Sequence, residues 1–273
     1  MEKRIISGIT GAIFILFVLF FNQNCTILLN IITSVIAVLA IKEIFSVLNI
    51  SKSYMMTIPT FIFVSFIPMF GFGTISEIAW YLYTLWMFSV MLIKPSTRLK
   101  HVAVTYTMTI LISVSLGKII DLRNFGGIYG SFFVLLALSV AWMSDTGAYF
   151  CGKFFGKNKL CPDISPKKTI EGFIGGIVVC VLSMILVAFI FNNFVFSEKH
   201  QINYFLIIVL GLIGSPISAL GDLSFSIIKR KCKVKDFGTL MPGHGGILDR
   251  FDSVIFTIPY VYFFIKLIPI IEM

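Results

Sequence analysis

The stretch GFIGGIVVCVLSMILVAFIF, residues 172–191, runs for twenty positions without a charge. A helix rises about 1.5 Å per residue, so about 20 apolar residues cross the ~30 Å hydrocarbon core of a bilayer. The run therefore reads as a membrane span. Its early glycines, Gly172, Gly175 and Gly176, suit close approach to a neighbouring helix better than chemistry. Further out along the chain, similar runs recur at about 5–21, 25–41, 54–72, 79–93, 102–117, 127–143, 204–220 and 253–270, which gives nine expected spans. Composition agrees, since 58% of the 273 residues are hydrophobic and only 13% charged. A soluble domain has roughly 45–50% apolar and about 25% charged residues. The expected class is an all-α polytopic integral membrane protein, forming one membrane domain over residues 1–273.

Charge tests the span count. With the N-terminus inside, the cytoplasmic segments hold 18 of the 22 basic residues, leaving Lys118, Arg123, Lys199 and Lys266 to the other side. That asymmetry is the one the positive-inside rule requires, and it sets an N-in, C-out topology. The net charge of +9 then comes from cytoplasmic loops, and a nucleic-acid partner is not expected. Met1-Glu-Lys-Arg4 before Ile5–Phe21 has the look of a signal peptide but lacks a small-residue cleavage site, so a retained first span is expected. The five cysteines form no CxxC pair and imply neither a disulfide framework nor a metal centre.

Two polar loops, 144–171 and 221–252, carry 11 of the 22 basic and 7 of the 13 acidic residues. Orientation explains the bases but not the acids, which contribute little to it. Both loops fall on the cytoplasmic face, where they can build one site. Residues 1–140 then serve mainly as scaffold, and 141–273 form the catalytic half.

Mixed cations, carboxylates and glycines suit phosphate chemistry: cations neutralise it, carboxylates hold a divalent metal, and glycine lets backbone N–H groups approach. Asp145 sits where a span meets the cytoplasm, a costly place for a lone carboxylate. Either it or Ser144 caps the following helix, or Asp145 pairs with a metal or a base. Ser165-Pro-Lys-Lys-Thr169 sets Lys167 and Lys168 just ahead of a helix expected to begin near Thr169, a favourable place for phosphate. Ordinary membrane-surface lysines are the plainer alternative. Asp222 ends one span, while Asp249 and Asp252 open the last, one helical turn apart. Metal ligation and salt bridges to Arg250 or Lys229 both remain open for Asp222 and Asp249. Of the three histidines only His244, within Gly243-His-Gly-Gly246, lies in a functional setting.

The segment Ser226–Asp252 resembles the hallmark of the phosphatidate cytidylyltransferase family. It shows Ser226, Lys229-Arg230, Lys235-Asp236, Pro242-Gly-His-Gly-Gly246 and Asp249-Arg-Phe-Asp252. Met241 departs conservatively from the usual Leu, Ile or Phe. Ser144-Asp-Thr-Gly-Ala-Tyr149 and Ser165-Pro-Lys-Lys-Thr-Ile-Glu-Gly172 resemble the family's upstream elements. The resemblance implies CMP transfer from CTP to phosphatidate, with magnesium as cofactor and room for a second cation. It implies Asp222 and Asp249 as metal ligands, with Asp145 as a third. Lys167, Lys168, Lys229, Arg230, Lys235 and Arg250 would neutralise the phosphates. Asp236 and Asp252 belong to the same catalytic run, and His244 with Gly243, Gly245 and Gly246 would shape a phosphate turn. Family members resemble dimers, although this sequence shows no interface. The expected setting is the bacterial plasma membrane with a cavity facing the cytoplasm, although an organelle membrane would leave the same pattern. A CTP-dependent lipid kinase would need similar residues but would transfer the γ-phosphate. A transporter would place charge near the middle of its spans, and none is seen there.

Overall fold

The computed structural model describes residues 26–51, 53–71, 73–196, 201–241 and 245–271. The first expected span, 5–21, lies outside the described residues, as do Gly243 and His244. The chain is mostly helical: α1 (Thr26–Val47), α2 (Tyr54–Phe70), α3 (Thr74–Ile93), α4 (Leu99–Gly126), α5 (Gly130–Phe155), α6 (Ile170–Ile190), α7 (Tyr204–Lys231) and α8 (Leu248–Leu267). A 3-10 turn, Gly127–Tyr129, links α4 to α5, and a π turn, Phe191–Val195, extends α6. Among the described residues five helical stretches are long and apolar enough to cross a membrane: Thr26–Val47, Thr74–Ile93, Leu99–Phe155, Ile170–Val195 and Tyr204–Lys231. Tyr54–Phe70 is apolar but shorter, and α8 opens with Asp249, Arg250 and Asp252.

The two expected polar loops are shorter than the sequence suggests. Ser144 and Asp145 lie inside α5, so neither caps a following helix, and α7 continues past Asp222 to Lys231. Hydropathy marks where apolar contact ends, whereas backbone hydrogen bonding runs on through good helix formers such as Lys and Arg. The first loop also holds an antiparallel hairpin, β1 (Lys159–Cys161) and β2 (Ser165–Thr169), with Lys159 opposite Thr169 and Cys161 opposite Ser165.

The chain divides into two compact units. The first comprises residues up to Asp121 together with Lys231–Phe251. Here α1 packs on α2 through small polar groups: Asn30 Nδ2 donates to the Met69 carbonyl (2.8 Å) and Ser34 Oγ to that of Ser65 (3.0 Å). Tyr83 of α3 stacks on Phe63 of α2 at 4.6 Å. Its hydroxyl lies 3.1 Å from Thr60 Oγ1 and donates to Thr109 Oγ1 of α4 at 3.2 Å. In lipid, where apolar burial does not favour helix over solvent, such polar links and close packing hold helices together.

The second unit comprises Leu122–Arg230 and Asp252–Met273. Glycines bring α5 and α6 into backbone contact. A Cβ at Gly172 would stand 2.7 Å from the Ala148 carbonyl oxygen, and one at Gly176 2.8 Å from that of Ser144. The packing role read for these glycines is the one they have. On its other flank α5 meets α7, where Ser144 Oγ lies 2.6 Å from Ser215 Oγ. Tyr260 of α8 donates its hydroxyl to the Leu210 carbonyl of α7 (3.1 Å).

Candidate active site

In the second unit, four elements bring predicted site residues together. The hairpin strand β2 delivers Lys167 and Lys168, then ends at Thr169, whose extended backbone and side-chain oxygen cap α6 by accepting from Gly172 N (3.1 Å). That cap satisfies one of the orphan N–H groups at the helix start. Helix α5 carries Asp145, and α7 carries Asp222. Asp145, Lys167, Lys168, Thr169, Gly172 and Asp222 all line one pocket of about 480 Å³, walled also by apolar Ala148, Leu160 and Phe173.

Both pocket carboxylates and Lys168 are already engaged. Lys168 Nζ lies 2.6 Å from Asp222 Oδ2, both side chains about a quarter exposed. Asp222 Oδ1 accepts from Ser226 Oγ one helical turn on (3.3 Å). Asp145 Oδ2 accepts from Ser253 Oγ at the start of α8 (2.9 Å). Asp252, ahead of the apolar run that begins at Ser253, is buried and accepts from the Ser253 N–H (2.8 Å). Burial above all, then the charges of Asp222 and Asp145, push its carboxyl up to about 8. Lys229, buried 3.9 Å from Asp252 Oδ2, pulls the other way without cancelling this. Carboxylates set close together in a low-dielectric place repel one another, and a divalent cation between them relieves that repulsion. Among the described residues no three His, Cys, Asp or Glu side chains are grouped closely enough to hold a metal alone. Magnesium commonly takes one or two carboxylates and completes its shell with substrate phosphates and water. Asp145 and Asp222 fit that demand.

The remaining motif residues of the first unit build a different arrangement. Asp249 Oδ2 accepts the backbone N–H groups of Gly246 (2.9 Å) and Phe237 (2.8 Å), tying both ends of the 237–246 segment to α8. Met241 N donates to the Gly245 carbonyl (2.9 Å), and Gly245 holds φ at +85°, a conformation that disfavours a side chain. Asp236 lies beside Gly245. Lys235, Asp236 and Arg250 are exposed, as is Arg230 of the second unit.

One residue of this arrangement was not among those read from the sequence. Glu43, buried near the end of α1, accepts from Ile247 N with Oε1 and from Leu248 N with Oε2, both at 2.9 Å. It thereby caps the start of α8 with a charge where the helix dipole favours a negative one. Gly238 and Gly246 both border this carboxylate so closely that a Cβ would collide with it. The available signal was a lone acid following an apolar run, the kind of residue that needs a partner.

The cytidylyltransferase family model matches residues 2–268. A phosphatidate cytidylyltransferase of Bacillus subtilis is 35% identical over 280 aligned positions, covering 98% of each chain. Those of Staphylococcus saprophyticus and Staphylococcus haemolyticus are each 48% identical over 130 positions, about half of either chain (48% of this one and 47% of the relative). A match from one end to the other, to the family and to a full-length relative, places this chain in the cytidylyltransferase family.

Proposed function

We propose that this protein transfers the cytidylyl group of CTP to phosphatidate, giving CDP-diacylglycerol and pyrophosphate. One observation carries the reading: Asp145 and Asp222 share a pocket with Lys167 and Lys168 in a body of apolar helices. That arrangement suits two phosphate-bearing substrates, one of them a lipid. The full-length similarity to the Bacillus subtilis phosphatidate cytidylyltransferase supports it.

A phosphate monoester has a second pKa of about 6, so phosphatidate reaches the site largely dianionic at neutral pH. Its oxygen attacks the α-phosphorus of CTP, a new P–O bond forms, and the bond to the β-phosphate oxygen breaks to release pyrophosphate. The nucleophile is already charged, so no general base is needed. The barrier is repulsion between two polyanions. Lys167 and Lys168 lower it by pairing with phosphate oxygens, Lys168 exchanging its contact with Asp222 for one with substrate. The capped N-terminus of α6 adds a favourable dipole. Magnesium held by Asp222 and Asp145 would draw charge from the triphosphate and help align it. The role of Asp249 as a further metal ligand rests on the motif. Lys229, Arg230, Lys235 and Arg250 keep the charge-neutralising role it implies, and His244 the shaping of the turn.

The reading includes nine spans, N-in and C-out, in a bacterial plasma membrane, with the pocket on the cytoplasmic face and open sideways to lipid. It includes a homodimer as the working assembly. The decisive assay is incorporation of α-labelled CTP into chloroform-extractable lipid by the purified protein with phosphatidate, with and without magnesium. Magnesium-dependent label in lipid with matching pyrophosphate is expected. Label that enters only from the γ position would mean a lipid kinase instead.

A further inference from the structure

A second pocket, of about 320 Å³, lies in the first unit and shares no residue with the one above. Its polar lining is Asn49, Ser53, Lys94, Ser96, Thr97, Arg98 and His101, and none of its described lining residues is acidic. The residues come from four helix ends: Asn49 and Ile50 just after α1, Ser53 and Met56 at the start of α2, Lys94 just after α3, and Ser96, Thr97, Arg98 and His101 at the start of α4. Ser53 caps α2 through its carbonyl, which accepts from Met56 N and Thr57 N, and its hydroxyl makes no capping bond. Arg98 does the same for α4, its carbonyl accepting from His101 N and Val102 N. The starts of two helices thus accompany the cations, and both favour an anion.

Where consecutive apolar helices turn back, the turn lies at the level of lipid head groups. The same helices expose large apolar side chains within five residues of the lining: Ile58 of α2, Leu92 and Ile93 of α3, and Leu99 of α4. A phosphate in the pocket would therefore have acyl-compatible surface beside it. Positive-inside placement accounts for the sign of Lys94 and Arg98, but not for their convergence with hydroxyls on one concavity. The geometry points to a binding site for a phosphate group, with an anionic phospholipid as its source, distinct from the substrate pocket.

The test uses the full-length protein, stripped of lipid in detergent, and compares wild type with K94Q/R98Q. One arm titrates phosphatidylglycerol, with zwitterionic phosphatidylcholine as reference, and reads bound lipid by native mass spectrometry. The other titrates inorganic phosphate and reads thermal stabilisation. Each Lys or Arg near an anionic lipid surface contributes about fivefold in affinity, so the double variant should lose about thirtyfold. Both side chains are exposed, so the variant should fold as wild type does. K100Q, a neighbouring cation outside the lining, is the control and should bind as wild type. Loss confined to the lipid arm supports the site with a membrane head group as its occupant; loss in the phosphate arm supports it with a soluble anion. Unchanged binding in both arms, or equal loss in K100Q, overturns it.

Discussion

At the scale of single residues, the two lysines of β2 differ in what holds them. Lys168 is paired with Asp222, whereas Lys167 is exposed at the mouth of the same pocket. K167A should raise the apparent KM for CTP about tenfold, the order of one charge-assisted hydrogen bond, with kcat much less affected. An unchanged KM in steady-state assays would remove Lys167 from the site. Asp249 poses a sharper question because its Oδ2 already accepts two backbone N–H groups. In D249N the amide oxygen can accept the same pair, so the fold should survive while the charge is lost. Turnover is expected to fall about a hundredfold, as when metal ligation is disturbed. Near-normal turnover would leave Asp249 as a loop anchor alone. The pocket charges were legible because charge in so apolar a chain needs a reason. The backbone partners of Asp249 were not, since an acceptor of N–H groups has no signature in sequence.

At the scale of elements, α8 depends on a cap supplied by α1. Glu43 meets two N–H groups with two oxygens; E43Q replaces one oxygen by a donor, setting N–H against N–H in a buried place. An unsatisfied buried group costs about 1–3 kcal/mol. E43Q should therefore lower the Tm in detergent and reduce activity by loosening the start of α8 at Ile247 and Leu248. E43A should cost at least as much, and wild-type thermal unfolding of E43Q would show the cap to be dispensable. Apolar run length located the helices, but their polar continuations were invisible to it, which is why α5 and α7 overshoot their expected ends. The hairpin escaped notice for another reason. Strands of three and five residues carrying Pro166, Lys167 and Lys168 lack the apolar alternation that marks a strand.

At the scale of the whole molecule, the uneven charge tally makes a prediction about sidedness. A protease-cleavable tag after Met273 should be cut from outside intact spheroplasts, while one placed before Met1 should be protected. Protection of both would require an even number of spans. The order of synthesis bears on Glu43 as well. Its partners Ile247 and Leu248 lie 204 and 205 residues further along the chain. At roughly 5–20 residues per second, a ribosome reaches them on the order of 10–40 s after Glu43 has been made. Through that interval the carboxylate must wait with water, a proton or a chaperoning partner in place of its final ligands. A nascent chain released early would keep an unsatisfied acid at the edge of the membrane, a mark by which quality control could recognise an unfinished enzyme.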